Sequence, residues 1–141
     1  LRRDFAAIGF VFFEGLVLGV EAWLDIVDEL YPQALNKVRT SLARAEDRMT
    51  QMIAPQMVSV HLVLAAIVLT GMDGGRRGRD AVRCLAAADR LLPPGHVQNP
   101  TEREARITAE AAARALLGDA EYEAAYAEGE RLSLEEAVAL V

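Results

Sequence analysis

Cysteine, histidine and aromatic residues are scarce in this 141-residue chain, and only 6% of its residues are aromatic. The one cysteine, Cys84, excludes an internal disulfide, which fits a reducing compartment. We expect it to be a small buried residue. The two histidines, His61 and His96, are far apart in the sequence. The chain therefore lacks the closely spaced ligands of a typical metal site.

Positive charge is also in short supply, since 15 Lys and Arg residues stand against 21 Asp and Glu residues, for a net charge of -6. Affinity for nucleic acid comes largely from basic side chains, so we expect no direct binding to DNA or RNA. The sequence has no Gly-rich loop ending in Gly-Lys-Ser or Gly-Lys-Thr for nucleotide phosphates, and no nucleophile motif for a catalytic triad. We predict a non-enzymatic chain without a cofactor or metal of its own.

One long apolar run, residues 5–24, has about the length of a membrane span. Glu14 and Glu21 interrupt it, and together with Asp25 and Asp28 they fall on one side of a helix. A carboxylate in lipid costs about 3 kcal/mol. We therefore predict a buried helix of a cytoplasmic protein, with these four residues as an acidic stripe that faces solvent, and no contact with a membrane.

The composition favours helices. Hydrophobic residues make up 52% of the chain, Ala, Leu, Arg and Glu are abundant, and no stretch alternates as a strand does. Pro and Gly residues divide the pattern into segments. We predict helices over residues 3–30, 33–53, 57–71, 79–92, 101–117, 119–128 and 133–141.

Two of these helices have distinctive apolar patterns. The helix over 33–53 carries one narrow apolar seam, which predicts packing against a neighbouring helix. The seam is formed by Leu35, Val38, Leu42, Ala45, Met49 and Met52. The helix over 57–71 is apolar almost all round, so we expect it to be the most buried one. We expect His61, which lies on it, to be a hydrogen-bonded core residue.

Helix ends are marked by polar residues and glycines. A Ser or Thr three positions before a Glu predicts a capping box, and the sequence has two such pairs, Thr101 with Glu104 and Ser133 with Glu136. Gly118 should end the helix before it, and Asp119 should cap the next one.

The clearest turn is residues 73–80, DGGRRGRD, because glycines permit positive φ and the charges favour water. The arginines in and just after this turn form a candidate contact patch for a partner, namely Arg76, Arg77, Arg79 and Arg83. The polar face of the helix over 33–53 is a second candidate contact region.

Small and apolar residues recur at the spacing of helical repeats. Positions spaced four, three and five apart are occupied by Ala81, Leu85, Ala88 and Pro93. The first part of that spacing occurs again at Ala34, Val38 and Ser41. We predict an all-α domain of antiparallel helical hairpins, stacked as a tetratricopeptide-like right-handed superhelix. It would comprise N-terminal helices in 1–54, a repeat hairpin in 55–100 and capping helices in 101–141.

A family resemblance accompanies this pattern. Residues 61–91 and 109–141 resemble the end of the helical-repeat region in large LuxR-type transcriptional regulators and related predicted ATPases. The pieces that carry it are ALLG at 115–118, then Tyr122, Ala125, Tyr126 and Gly129, and LSLEEAV at 132–138. The resemblance implies neighbouring domains that bind ATP and DNA, with this chain as one piece of a longer protein.

The resemblance and the composition together predict a non-catalytic interaction domain of a transcriptional regulator, involved in signal transduction. Its partner would be another protein, its own neighbouring domains or a small inducer. One alternative is a ligand sensor, in which the apolar helices over 5–24 and 57–71 enclose a pocket. Another is a homodimerisation module that uses helix 5–24.

Overall fold

Eight α-helices and one 3-10 turn make up the regular structure of the computed structural model, which describes the backbone of residues 2–141 and the side chains of residues 13–48 and 50–141. The helices are α1 Arg2–Val27, α2 Tyr31–Ala45, α3 Arg48–Ile53, α4 Gln56–Gly71, α5 Gly78–Leu91, α6 Pro100–Leu117, α7 Asp119–Gly129 and α8 Leu134–Ala139. The 3-10 turn is Asp73–Gly75. Residues 2–141 contain no strand, which confirms the all-α class.

The predicted helix over 33–53 is in fact two helices, α2 and α3. The Asp47 carboxylate accepts a hydrogen bond from the backbone N–H of Thr50 at 3.2 Å, and Asp favours a new helix start through such bonds. Four residues of the predicted seam, at 35, 38, 42 and 45, are buried in α2. Met52 lies beyond the break and is 72% exposed, so its place in the seam was wrong, and the side chain of Met49 lies outside the described residues.

Helix α6 begins earlier than the sequence pattern indicated. Asn99 is its cap and forms a capping box with Glu102, so the predicted box of Thr101 with Glu104 was wrong. Pro100 explains the shift, because a Pro at the first helical position has the right φ and lacks only an N–H that would be unbonded there.

The other two predicted caps have different outcomes. The predicted capping box of Ser133 with Glu136 is confirmed at the start of α8. Gly118 ends α6 as predicted, but it also stands at the N-cap of α7. Asp119 therefore lies in the first turn of α7 instead of capping it, and its Oδ1 is 3.0 Å from Arg114 Nη1.

Helix α4 lies at the centre of the structure and packs against α1, α2, α5 and α6. Twelve of its 16 residues are buried, which confirms it as the most buried helix. One cluster of buried residues extends from Ala22 to Val141. The stacked superhelix is not confirmed, because α4 is surrounded by other helices, whereas a repeat in a solenoid contacts only its neighbours along the stack.

Small residues on one face of α1 let it approach α4 closely. A Cβ at Gly19 would lie 2.7 Å from His61 Nε2, and one at Gly15 would lie 3.1 Å from Met57 Sδ. Ala22 follows at helical spacing and is fully buried. The spacing of four and three places these residues on the same side of α1, so α1 meets α4 there through small side chains.

The acidic stripe of α1 is divided between α2 and solvent, which corrects half of the prediction. Glu21 and Asp28 are exposed as predicted, whereas Glu14 and Asp25 contact α2. Asp25 Oδ2 lies 2.5 Å from Lys37 Nζ, and Glu21 is 3.9 Å from the same atom. Glu14 Oε2 lies 3.2 Å from Arg44 Nε, an ion pair that is not aligned as a hydrogen bond. These contacts orient α1 along α2. Over residues 13–48 and 50–141, whose side chains the structure describes, no helix is long and apolar enough to cross a membrane.

Candidate functional site, an apolar cleft beside α4

A cleft of about 490 Å³ lies between α1, α4 and α6, within the range of ~300–1,000 Å³ that is usual for small-molecule sites. Its lining residues are Leu16, Gly19, Val20, Trp23, Ala54, Gln56, Met57, Val60, His61, Leu64, Asn99, Thr101, Glu102 and Ala105. The pocket expected between helices 5–24 and 57–71 is therefore present in the part formed by residues 16–23 and 57–64. The side chains of residues 5–12 lie outside the described residues.

The walls of the cleft follow from the two helices that form most of it. Helix α4 is apolar on every side, so it offers Val60 and Leu64 to the cleft while its other faces are covered. Helix α1 contributes Val20 and Trp23, and Gly19 lines the cleft where α1 approaches His61 of α4 closely. Trp23 is half-buried and is the only tryptophan of the chain. The result is a mainly apolar site with an intrinsic fluorophore in its wall.

His61 supplies a neutral ring to the wall. Its Nδ1 lies 2.8 Å from the carbonyl oxygen of Met57, and its Nε2 lies 2.9 Å from Ser41 Oγ. Since the carbonyl can only accept, Nδ1 carries the proton of the neutral ring and Nε2 is left as an acceptor for the Ser41 hydroxyl. The one hydrogen of that hydroxyl is also within reach of the Gly15 carbonyl oxygen, which lies 3.3 Å from Ser41 Oγ. Burial lowers the pKa of His61 to about 4, although the bonds that a protonated ring would donate to the Met57 and Gly15 carbonyls oppose the shift. The prediction of a hydrogen-bonded core histidine is confirmed.

The polar end of the cleft is the start of α6. Asn99, Thr101 and Glu102 lie there, with Gln56 from α4. Glu102 is the only residue with a full charge at neutral pH among the lining residues that the structure describes. Its carboxylate accepts hydrogen bonds from Asn99 N at 3.3 Å and Asn99 Nδ2 at 3.2 Å, and lies 3.0 Å from His96 Nε2. The capping box thus fixes a carboxylate at one end of an apolar cleft.

Sequence reasoning missed this third wall. Residues 99–105 are separated from α1 by more than half the chain, and only the packing of α6 on α4 brings them together. For the close contact of α1 with α4, the usable signal was Gly15 and Gly19, because two glycines four apart on a helix indicate a close helix contact. A second signal was Pro100, which predicts Asn99 as the cap.

The arginine patch is largely neutralised within the chain. Arg79 lies 2.8 Å from Glu128, and Arg83 lies 2.5 Å from Glu128 and 2.8 Å from Asp80. The bond to Glu128 raises the pKa of Arg83. Arg77 donates to the carbonyl oxygen of Leu140 and pairs with Asp80. Arg76 is exposed. Three of the four predicted contact residues therefore hold α5 against α7 and α8, and partner binding by this patch stays a prediction.

Other reactive side chains are held away from solvent. Cys84 is fully buried, as predicted, and burial raises the pKa of its thiol to about 12. Within the described residues, no group of three or more His, Cys, Asp or Glu side chains is placed to hold a metal ion.

Comparisons with protein-family models, curated protein sequences and solved structures found no match to this chain. The resemblance to LuxR-type regulators, carried by residues 61–91 and 109–141, therefore stays a prediction. The cleft beside α4 is the feature on which a functional proposal rests.

Proposed function

We propose that this chain is a non-catalytic regulatory domain that binds a small apolar molecule in the cleft between α1, α4 and α6. The observation that carries the proposal is the cleft itself, about 490 Å³ in volume, with apolar walls and a few polar groups at one end. Small-molecule sites commonly combine apolar walls with a few polar groups that orient the ligand. The resemblance to helical-repeat regions of transcriptional regulators supports a sensory role.

Binding in the cleft would act on two distant parts of the sequence at once. Trp23 of α1 and Ala105 of α6 both line the cleft, although they are far apart in the sequence. A ligand that contacts both favours the arrangement in which both helices lie on α4. Burial of apolar surface contributes roughly 25 cal/mol per Å² to such a complex, before the cost of association. Neighbouring domains or a partner protein that contact α1 or α6 would respond to that shift.

The fluorescence of Trp23 tests this proposal, because no other tryptophan contributes. Straight-chain alcohols of increasing length are titrated into the protein while fluorescence and thermal midpoint are recorded. We expect a saturable change in fluorescence and a rise in midpoint by linkage. Val60→Phe, which fills the cleft, should abolish both effects, whereas Val97→Phe, at an exposed site off the cleft, should preserve them. No response to any alcohol, or equal responses in both variants, would disprove the proposal.

A second candidate function is homodimerisation through α1. Four apolar residues on one face of α1 are each more than half exposed, and they are Val17, Val20, Leu24 and Val27. Their spacing of three, four and three residues is the same whether the helix is followed from its N-terminus or from its C-terminus. A second copy lying antiparallel can therefore place Val17 opposite Val27 and Val20 opposite Leu24, as a two-fold interface requires.

This interface would be small and therefore weak. The four residues extend over about 15 Å of helix, well short of the area of a standard stable interface. An antiparallel pair also brings the two copies of Glu21, beside the apolar row, close together. Added salt screens that repulsion, so the dimer should become tighter as the salt concentration rises.

Sedimentation velocity over about a hundredfold range of protein concentration tests for the dimer. We expect the native chain to self-associate at the high end and Val17→Glu with Leu24→Glu to remain monomeric. Neither residue lines the cleft, so ligand binding should survive. Val97→Glu introduces a charge at an exposed apolar site elsewhere and should leave the dimer intact. A native chain that stays monomeric at every concentration would exclude this function.

A further inference from the structure

We infer that the cleft selects a lipophilic amine, that is, an amphiphile with an apolar body and one positively charged head group. This inference rests on the proposed ligand-binding function. The observation behind it is the distribution of charge around the cleft, where the described lining residues are mostly apolar and Glu102 is the one among them with a full charge.

The Glu102 carboxylate is held in place and has room for another donor. Its side chain is 18% exposed, so water screens it less than a surface carboxylate. Three contacts within the chain use its oxygens, from Asn99 N, Asn99 Nδ2 and His96 Nε2. A carboxylate has about four acceptor positions, which leaves one for an ammonium N–H of a ligand. Because the capping box fixes the carboxylate, a ligand does not have to order it.

Positive side chains near this end of the cleft are already engaged. Arg103 donates to the carbonyl oxygen of Gln98 at 3.3 Å. Arg106 forms a two-pronged pair with Asp89, at 2.9 and 2.7 Å. Neither arginine is among the described lining residues. Within the described part of the cleft, a carboxylate or phosphate head group would therefore meet the Glu102 carboxylate, and the ionisable group beside that carboxylate is His96, which already contacts it at 3.0 Å. The net charge of -6 adds to the repulsion of anions.

Three ligands with the same ten-carbon chain test the inference, namely decylammonium, decanol and decanoate, each used below the concentration at which it forms micelles. Binding is followed at pH 8 through Trp23 fluorescence. We expect decylammonium to bind about tenfold more tightly than decanol and decanoate to bind more weakly than decanol.

Glu102→Gln is the critical variant, because a Gln at this position still completes a capping box while the charge is lost. It should reduce decylammonium binding to the level of decanol. Glu104→Gln removes the same charge from an exposed site on the same helix that does not line the cleft, and it should keep the native preference. This pair separates the cleft carboxylate from the general attraction of an acidic protein for cations.

The possible outcomes separate this inference from the function on which it rests. If none of the three ligands changes Trp23 fluorescence, the ligand-binding function itself fails. If all three bind with equal affinity, or decanoate binds most tightly, the cleft binds ligands but the inferred ligand class is wrong. A preference for decylammonium that persists unchanged in Glu102→Gln would likewise overturn the assignment to Glu102.

Discussion

Ser41 Oγ lies 2.9 Å from His61 Nε2, and this buried hydrogen bond connects α2 to α4 directly behind the cleft. Both side chains are almost completely inaccessible to solvent. A buried polar group that loses its partner costs about 1–3 kcal/mol. Loss of Ser41 would leave His61 Nε2 without this donor, whereas Ser41 can also donate to the Gly15 carbonyl oxygen at 3.3 Å. The bond also holds the imidazole in the tautomer that accepts at Nε2, and it therefore fixes one wall of the cleft.

Acidification should destabilise the protein through His61. The pKa of His61 is about 4 in the folded chain and ~6.5 in an unfolded one, so the unfolded state takes up the proton first. The stability contributed by neutral His61 is complete above about pH 6.5 and decreases as the pH falls toward 4, by up to about 3 kcal/mol. Urea unfolding at pH 7.5 and at pH 4.5 measures this loss of stability. Between pH 7.5 and pH 4.5, the free energy of unfolding of His61→Gln should fall by about 2 kcal/mol less than that of the native chain. Equal decreases in the two proteins would contradict this explanation.

Replacement of Gly129 by alanine should destabilise the contact between α7 and α5. A Cβ at Gly129 would lie 2.6 Å from the carbonyl oxygen of Arg83 and 2.7 Å from Arg83 Cα, and backbone atoms cannot move aside as a side-chain tip can. We expect Gly129→Ala to lower the free energy of unfolding by about 1–3 kcal/mol, although alanine is the better helix former. Ala124→Gly, at an exposed site on α7, measures the propensity effect alone. A stabilised Gly129→Ala chain would show that the helices are not this close.

Removal of the helix caps should separate true caps from apparent ones. Asn99→Ala and Ser133→Ala each remove a side chain that accepts from the third residue of its helix, and each should cost about 1 kcal/mol of stability. Thr101→Ala removes an exposed hydroxyl inside α6 and should change stability by less than about 0.5 kcal/mol. Chemical unfolding measures all three. If Thr101→Ala lost more stability than Asn99→Ala, Asn99 would not be the residue that caps α6.

Cys84 should resist thiol reagents in the folded protein. It is fully buried in α5, and burial, together with the charge of Asp80, raises the pKa of its thiol to about 12. The reactive thiolate is therefore rare at pH 8 and inaccessible. We expect no labelling by an aromatic disulfide reagent until guanidinium unfolds the chain, when one thiol should react. Rapid labelling of the native protein would mean that α5 is less well covered.

Local patterns predicted much of the secondary structure but not every boundary. Ser133 with Glu136 was found correctly because a capping box involves only residues close in sequence. Thr101 with Glu104 matched the same pattern, yet Asn99 with Pro100 provides the actual start of α6. The seam over 33–53 concealed the break at Asp47, because a periodic pattern continued on both sides of it. Sequence patterns of this kind do not show which of two adjacent candidates caps a helix.

The sequence by itself determined the all-helical class and the central position of α4, because composition, glycine and proline positions and apolar periodicity act locally and depend on no distant contact. It also determined that His61 lies among apolar neighbours. Only the tertiary structure decided that Ser41 is its partner, that Lys37 and Arg44 face the acidic stripe of α1, and that Glu102 lies at the end of the cleft. These relationships join residues from different helices, so they depend on how the helices pack, which no local pattern specifies.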